Sequence, residues 1–219
     1  DVLPPGAARD ELSHRINFLD PPDHPRVRSL VSKAFTPRRV TALRPFVEQT
    51  TERLLDELVE QGSFDLLHDL AHQVPSLVIS ELLGVPVEDR EQFGPWSSDA
   101  TRLLDGMIDD ATFQAGLLAL MQLVNYLNHL FDERRRHPGD DLISALIAAE
   151  EAGDRLSEEE LRSIVLLLFL AGHETTMNLI GNGTWALLRH PDELRRLRDQ
   201  PELIGSAIEE LLRFDGPVH

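Results

Sequence analysis

One apolar stretch in the last third of the chain constrains the fold more than any other feature. Residues 164–176 read IVLLLFLAGHETT, an apolar run that turns abruptly small and polar at Ala171. Ser157 and Glu160 form a capping-box pattern ahead of this run, so the sequence predicts one helix over about residues 158–189. So long and apolar a helix lies inside a large domain or in a membrane. The polar break favours the first setting and places a carboxylate and hydroxyls in what we expect to be the most buried part of the chain.

The other patterns predict a mainly α protein in a single domain over residues 1–219. The chain is 42% hydrophobic and 27% charged, which suits one soluble globular domain or part of one. No β-hairpin pattern or internal repeat is recognisable. Apolar residues recur at helical spacing, and Gly or Pro marks the stops. Nine helices are predicted, at 24–34 (capped by Asp23), 37–60 (capped by Thr36), 66–83, 88–104, 110–136, 142–150, 158–189, from Pro191 and from Pro201 to Arg213.

Composition excludes several classes of function. The 219 residues contain no Cys, which excludes disulfides, thiolate catalysis and Cys-ligated metals within them. The net charge of −17 argues against nonspecific binding of nucleic acid. No signal-peptide pattern and no uninterrupted apolar segment of membrane length is recognisable, so we expect a cytoplasmic protein without a membrane partner.

The charge is unevenly distributed, and residues 24–47 carry a basic cluster without any acidic residue. Such a cluster on an acidic protein is a candidate docking surface for an anionic partner, although an ordinary solvated helix face has the same composition. Its six members are Arg26, Arg28, Lys33, Arg38, Arg39 and Arg44.

The polar break itself suggests a cavity with a proton path. Ala171 and Gly172 leave one helix face bare, at a cost of about 1 kcal/mol for Gly relative to Ala. Thr175 can hydrogen-bond to a carbonyl one turn back and open the helix. Glu174 can carry protons if its surroundings tune its pKa. The plainer alternative is a close helix crossing at Ala-Gly with its hydroxyls satisfied internally.

Two further pairs are weak signals when taken singly. Glu210 and Arg213 are spaced as a helical ion pair, which is commonly an ordinary surface contact. His24 and Arg28 share a helix face and could together donate hydrogen bonds to a carboxylate or phosphate, but His24 also suits a simple helix entry.

The other histidines do not suggest a metal site. His68 and His72 have a spacing of four with Asp69 between them, but no third ligand is evident, so we do not predict a metal there.

In combination and in this order, the motifs resemble the central part of a bacterial cytochrome P450, a haem-thiolate monooxygenase. FLDPPDHPRVRSLVSKAFTPRRV resembles the family's helix that carries His and Arg to the haem propionates. LFLAGHETT resembles its long central helix, and EELLRFDGPV resembles its Glu-x-x-Arg helix. The resemblance covers essentially all 219 residues, from the family's C helix to its K helix. It implies an incomplete, mainly α cytochrome P450-like fold.

The resemblance also implies roles for individual residues. His24 and Arg28 would bind the propionates of haem b, and Ala171 and Gly172 would lie against the distal haem face. Thr175 would act in oxygen activation, also touching the cofactor. The other implied roles are proton relay for Glu174, substrate contact for Leu167, Leu170 and Ala171, and a supporting ion pair, without catalysis, for Glu210 and Arg213.

The same resemblance implies a function that this chain cannot complete alone. The axial Cys of the family is expected beyond His219, so the segment by itself is expected to be inactive. The implied reaction inserts one atom of O₂ into a small organic substrate, with electrons from a ferredoxin and its NAD(P)H-dependent reductase. Two alternatives stay open: a peroxide-using member of the same fold, and a haem-free, catalytically inactive helical interaction module.

Overall fold

The structure, a computed structural model, describes residues 16–104, 109–151 and 153–217. The predicted mainly α class is confirmed over these residues. Ten α-helices are described: α1 Asp23–Ala34, α2 Pro37–Ala42, α3 Arg44–Gln61, α4 Gln73–Leu83, α5 Arg90–Thr101, α6 Asp110–Arg136, α7 Leu142–Ala148, α8 Glu158–Arg189, α9 Pro191–Asp199 and α10 Ile204–Phe214. Short 3₁₀ turns at Ile16–Phe18, Val87–Asp89, Arg102–Leu104 and Pro201–Leu203, and a π-helical turn at Leu66–Ala71, complete the helical elements of the described part.

Local chemistry explains where the helices begin. The predicted capping box of α8 is confirmed: Ser157 N donates to Glu160 Oε2 (2.8 Å), and Glu160 N donates to Ser157 Oγ (3.2 Å). Thr36 caps α2 as predicted, accepting from Arg39 N at 3.3 Å. Asp23 is instead the first residue of α1, and its side chain makes no cap hydrogen bond.

Two predicted helices are divided in the structure. The helix predicted over 37–60 breaks at Leu43 between α2 and α3. Pro45 is the second residue of α3, and it lacks the N–H that a continuous helix would need there for a bond to the carbonyl four residues earlier. The helix predicted over 66–83 begins with the π-helical turn, whose first amides at Leu67 and His68 donate to the Asp65 carboxylate.

A two-stranded hairpin that the sequence did not predict precedes α8. Strands β1, Glu150–Glu151, and β2, Asp154–Arg155, pair antiparallel. Gly153 adopts a positive φ of 85° in the turn, a conformation that glycine adopts at little cost. Strands of two residues are too short to produce an alternating pattern, and Gly153 was the one available signal.

The described residues form two compact units. Unit 1 comprises the described residues up to Phe46 together with Leu77–Leu170, and unit 2 comprises Val47–Ser76 and the described residues from Ala171 onward. The core of unit 1 includes Phe93, whose ring meets that of Phe169 edge to face at 4.9 Å. The prediction of a single domain over 1–219 stays a prediction.

Helix α8 contributes residues to both units. It is the one helix in the described ranges that is long and apolar enough to cross a membrane, with a mean hydropathy of 1.5 in an 18-residue window. The sequence interpretation assumed that the polar break leaves no apolar segment of membrane length, but the helix meets that length and hydropathy despite the break. Core helices of soluble proteins have the same length and composition, so this feature alone decides neither setting.

Candidate functional site

The exposure of α8 changes at the polar break. Ile164, Val165 and Phe169 are buried in the core of unit 1, at most 2% exposed. From Ala171 to Thr176, by contrast, the side chains are exposed or half-buried, except for His173, which is 3% exposed. The expectation that the carboxylate and hydroxyls lie in the most buried part of the chain is therefore wrong. They occupy an accessible stretch that follows a buried one.

The two threonines of the motif bond to the backbone of their own helix. Thr175 Oγ1 donates to the carbonyl of Ala171 at 2.7 Å, and Thr176 Oγ1 donates to the carbonyl of Gly172 at 3.2 Å. The predicted bond of Thr175 to a carbonyl one turn back is confirmed. The helix does not open there, since α8 is α-helical from Glu158 to Arg189. Each hydroxyl uses its proton in this bond, and its oxygen can still accept a hydrogen bond from another group.

The predicted anion-binding pair lies on one edge of α1. Successive residues are about 100° apart around a helix, so His24 and Arg28 are about 40° apart. His24 is half-buried, and Arg28 is exposed. Neither side chain makes a hydrogen bond or ion pair with another residue of the described ranges. Their donors are therefore available for an external carboxylate.

The three predicted substrate contacts differ in exposure. Leu167 is half-buried and Ala171 is exposed, whereas Leu170 is 6% exposed and belongs to the core cluster of unit 1. On a helical projection Leu170 is about 140° from Thr175, while Ala171 is about 40° from it. Burial thus gives Leu170 a packing role in the structure. The assignment of substrate contact to all three stays a prediction.

The predicted Glu-x-x-Arg ion pair forms on α10. Arg213 Nε donates to Glu210 Oε2 at 2.8 Å, and Arg213 Nη2 donates to Glu210 Oε1 at 2.5 Å. The bidentate contact lowers the pKa of the Glu210 carboxyl and raises that of the Arg213 guanidinium. Both side chains are exposed. The pair exists, while its supporting role stays a prediction.

A histidine pair in unit 2 was missed by the sequence reasoning. The ring of His173 meets the ring of His72 edge to face, with centroids 4.5 Å apart and planes at 88°. Neither ring nitrogen of His173 has a hydrogen-bond partner in the described ranges. His68 contacts Asp69 instead, at 2.8 Å, so His68 and His72 have separate partners. The position of His173 inside the AGHETT motif (residues 171–176) was the signal that could have identified it.

The basic cluster is largely neutralised inside unit 1. Arg26 pairs with Asp154 and Glu160. Lys33 Nζ donates to the carbonyl of Glu150 at 3.0 Å. Arg39 Nη1 donates to the carbonyl and carboxylate of Asp140, at 3.1 and 3.3 Å. Exposed cations without a described partner remain at Arg28 and Arg38. The docking surface predicted from sequence therefore has fewer available cations than the six basic residues in the sequence suggest.

Comparisons with known proteins agree with the motifs and the helical fold. The sequence model of the family "Cytochrome P450" matches residues 6–207. Cytochrome P450 107B1 of Saccharopolyspora erythraea is 49% identical over 98% of this chain and 51% of its own length. The vitamin D(3) 25-hydroxylase of Pseudonocardia autotrophica is 48% identical over 92% of this chain and 48% of its own length. The solved structure of the bacillaene polyketide synthase cytochrome P450 PksS of Bacillus subtilis superposes with a TM-score of 0.86, at 44% identity over 95% of this chain and 52% of that one.

These matches define a protein of mainly α class with the cytochrome P450 fold. The chain belongs to the cytochrome P450 family, and the resemblance inferred from its motifs is confirmed. It spans about half the length of the curated relatives it matches.

Family membership implies a haem cofactor, and the residues present fit its periphery. His24 and Arg28 offer uncommitted donors on one edge of α1, which suits carboxylate groups such as propionates. Ala171, small and exposed beside Gly172, leaves a helix surface that a flat ligand can approach. An axial thiolate is not available from these 219 residues, because they contain no Cys.

Proposed function

We propose that this chain is the central segment of a haem-dependent monooxygenase that inserts one oxygen atom from O₂ into a small organic substrate. The observation that carries the proposal is the accessible AGHETT stretch of α8, in which the Thr175 hydroxyl donates to the Ala171 carbonyl and Glu174 is the preceding residue. An alcohol and an acid on an open helix face suit the handling of protons at a bound substrate.

The proposed reaction divides its tasks between cofactor and protein. Haem b, when bound with a thiolate from outside these residues, supplies the redox chemistry that activates O₂. His24 and Arg28 hold its propionates, and Ala171 with Gly172 gives the space for its distal face. Leu167 and Ala171, together with Leu170 behind them, border the substrate.

The hydrogen bonding of Thr175 defines what its hydroxyl can do. Its proton is donated to the Ala171 carbonyl, so the oxygen presents acceptor lone pairs to a neighbouring group. Rotation about the Cβ–Oγ1 bond turns the proton away from that carbonyl and frees it for donation to another group. Glu174 is half-buried, so its carboxyl can exchange protons with water and pass them toward Thr175. Glu210 and Arg213 support the structure without taking part in the reaction.

Electrons are proposed to come from a ferredoxin and its NAD(P)H-dependent reductase. An acidic ferredoxin would meet exposed Arg38 on α2, which is not assigned to haem, and both proteins would work in the cytoplasm. A peroxide-using enzyme of the same fold would not need this partner. The presence of both Glu174 and Thr175 favours the O₂-dependent route, because proton delivery is needed when O₂ is the oxidant.

A carbon monoxide difference spectrum tests the proposal on the longer polypeptide that we propose contains this segment. We expect the reduced protein to show the absorption band of a thiolate-ligated haem. A reading frame that ends near His219, together with the absence of that band, would instead support the haem-free interaction module. Product formation with peroxide but without ferredoxin would support the peroxide-using alternative.

A further inference from the structure

Helix α1 presents two chemically different edges. Arg26 lies about 160° around the helix from both His24 and Arg28, and Lys33 lies within about 20° of Arg26. The edge with Arg26 and Lys33 is bonded to other parts of unit 1. On the opposite edge, the side chains of His24 and Arg28 make no hydrogen bond or ion pair with another residue of the described ranges. One helix thus separates cations used for packing from cations left available.

The contacts of Arg26 join α1 to the hairpin and to the start of α8. Arg26 Nη1 donates to Asp154 Oδ2 at 3.2 Å, and Arg26 Nη2 donates to Glu160 Oε1. The Arg26 side chain is 32% exposed and that of Glu160 only 11%. A pair so shielded from water is screened less than an exposed one, and it has a more defined geometry.

Glu160 has a second task, since it is also the acidic member of the α8 capping box. Its Oε2 accepts from Ser157 N at 2.8 Å while its Oε1 accepts from Arg26. The carboxylate is therefore held from both sides, and the direction of α1 is tied to the first turn of the helix that carries AGHETT. Val27 and Leu30 pack in the core beside this contact and leave α1 little freedom to roll.

We propose that Arg26 and Glu160 are positioning residues that fix the roll of α1, so that His24 and Arg28 face the haem carboxylates. This inference rests on the proposed function, because it assigns those carboxylates to haem. The pair itself does not touch the cofactor. It determines where the donors of the opposite edge point.

The test uses substitutions that remove the charge and keep the capping box. Gln is accepted at the capping-box position, so Glu160→Gln removes the ion pair while retaining the bond to Ser157. Arg26→Gln removes the other partner. Arg135→Gln is the matched control, because Arg135 also pairs with a glutamate in the first turn of α8, Glu158, but from α6 rather than from α1.

Two readouts separate positioning from simple stability. The chain has no Cys, so Ser32→Cys and Met121→Cys introduce the only labelling sites for an electron spin distance measurement between α1 and α6. We expect a narrow distance distribution in the parent and in Arg135→Gln, and a broader one in Arg26→Gln and Glu160→Gln. Haemin titration of the unlabelled longer polypeptide that we propose contains this segment, followed by absorbance, should show an affinity lowered about tenfold, equivalent to about 1.4 kcal/mol, in the same two variants.

The outcomes distinguish this inference from the proposed function. Arg26→Gln with Glu160→Gln in one chain should cost no more than Arg26→Gln alone, because Arg26→Gln already removes the contact with Glu160. An unchanged distance distribution, or a broadened one with unchanged haemin affinity, would overturn the positioning role. If the longer polypeptide binds haemin equally tightly with and without Arg28→Gln, the haem assignment of α1 is contradicted, and with it the role toward haem. In that case the spin-label distances between α1 and α6 still show whether the pair of Arg26 and Glu160 orients α1.

Discussion

The ring of His173, the histidine between Gly172 and Glu174 in the AGHETT motif, meets the ring of His72 edge to face with centroids 4.5 Å apart. Burial, and to a smaller extent the neighbouring His72, lowers the pKa of His173 from 6.5 to about 4. Burial also lowers the pKa of His72. The pair is therefore neutral at physiological pH, which keeps positive charge away from the helix segment that carries Glu174 and Thr175.

This pair predicts a stability that depends on pH. Because the pKa of His173 is lower in the folded state, the unfolded chain binds more protons between about pH 4 and pH 6.5. The free energy of unfolding should fall as pH decreases through this window, by up to about 1.4 kcal/mol per pH unit for one such group. His173→Phe keeps an aromatic ring against His72 and should flatten the slope. Urea unfolding at pH 5, 6 and 7 measures it.

A histidine remote from this contact is the control for the pH experiment. His137 is exposed at the end of α6, and His137→Gln should retain the parent slope. A slope that His173→Phe leaves unchanged would contradict the assignment of the pH dependence to the buried ring.

The two threonines of α8 give a matched comparison for oxygen activation. Thr175→Ala and Thr176→Ala each remove a hydroxyl bonded to the carbonyl four residues earlier. In the longer polypeptide that we propose, we expect Thr175→Ala to divert electrons from product to peroxide and to lower coupling by about tenfold or more, since a positioned proton-transfer group typically contributes about 10²- to 10⁴-fold. Thr176→Ala should stay within about twofold of the parent. The ratio of product formed to NAD(P)H consumed measures coupling, and undamaged coupling in Thr175→Ala would refute its role.

The basic cluster gives a prediction that separates docking from stability. Arg38 is exposed without a described partner, whereas the Arg39 side chain is 23% exposed and bonds to Asp140. Arg38→Glu should slow reduction by ferredoxin several-fold at low salt, and the difference should shrink as salt screens the charges. Stopped-flow reduction over a salt series measures this effect.

Arg39→Glu should behave differently, because it also breaks a contact within the chain. We expect it to lower the melting temperature, whereas Arg38→Glu should leave the melting temperature unchanged. An Arg38→Glu protein reduced at the parent rate at low salt would remove α2 from the docking surface.

The ion pair between α6 and α7 predicts a large effect on stability. Arg134 Nε donates to Asp141 Oδ2 at 2.8 Å, and Arg134 Nη2 donates to the carbonyl of Gly84 at 2.5 Å. Asp141 is 8% exposed and also caps α7 through Ser144 N. Asp141→Ala removes the more buried of two carboxylates that contact Arg134, the other being exposed Glu133, and leaves a helix without its cap, so we expect a loss of about 3 kcal/mol.

An exposed ion pair on the same helix is the control for that prediction. Asp132 pairs with Arg135 at 3.2 Å, and its side chain is 63% exposed. Asp132→Ala should change the free energy of unfolding by less than about 1 kcal/mol, because water and salt screen such pairs. Equal losses for both variants in urea unfolding would show that burial does not determine the cost.

The sequence by itself determined the helices and the family. The capping box at Ser157 and Glu160 and the long apolar period of α8 are local signals, so both were confirmed. The order of three motifs identified the family. Each motif is weak alone, but the three occur together in the order that the family shows. Local signals failed where elements are very short, as in the hairpin at Gly153, or where the helical chain breaks at Leu43 although the apolar period continues across it.

The tertiary structure decided which of those residues are engaged with one another. Arg26 and Arg28 are equivalent cations in the sequence, but Arg26 is bonded to Glu160 and Arg28 is not. Likewise, no local pattern indicates that polar His173 is buried while apolar Ala171, two positions earlier, is exposed. Burial and pairing depend on contacts between residues far apart in the chain, for Arg26 and Glu160 a separation of 134 positions. No local pattern encodes such contacts, because they form only when the helices pack.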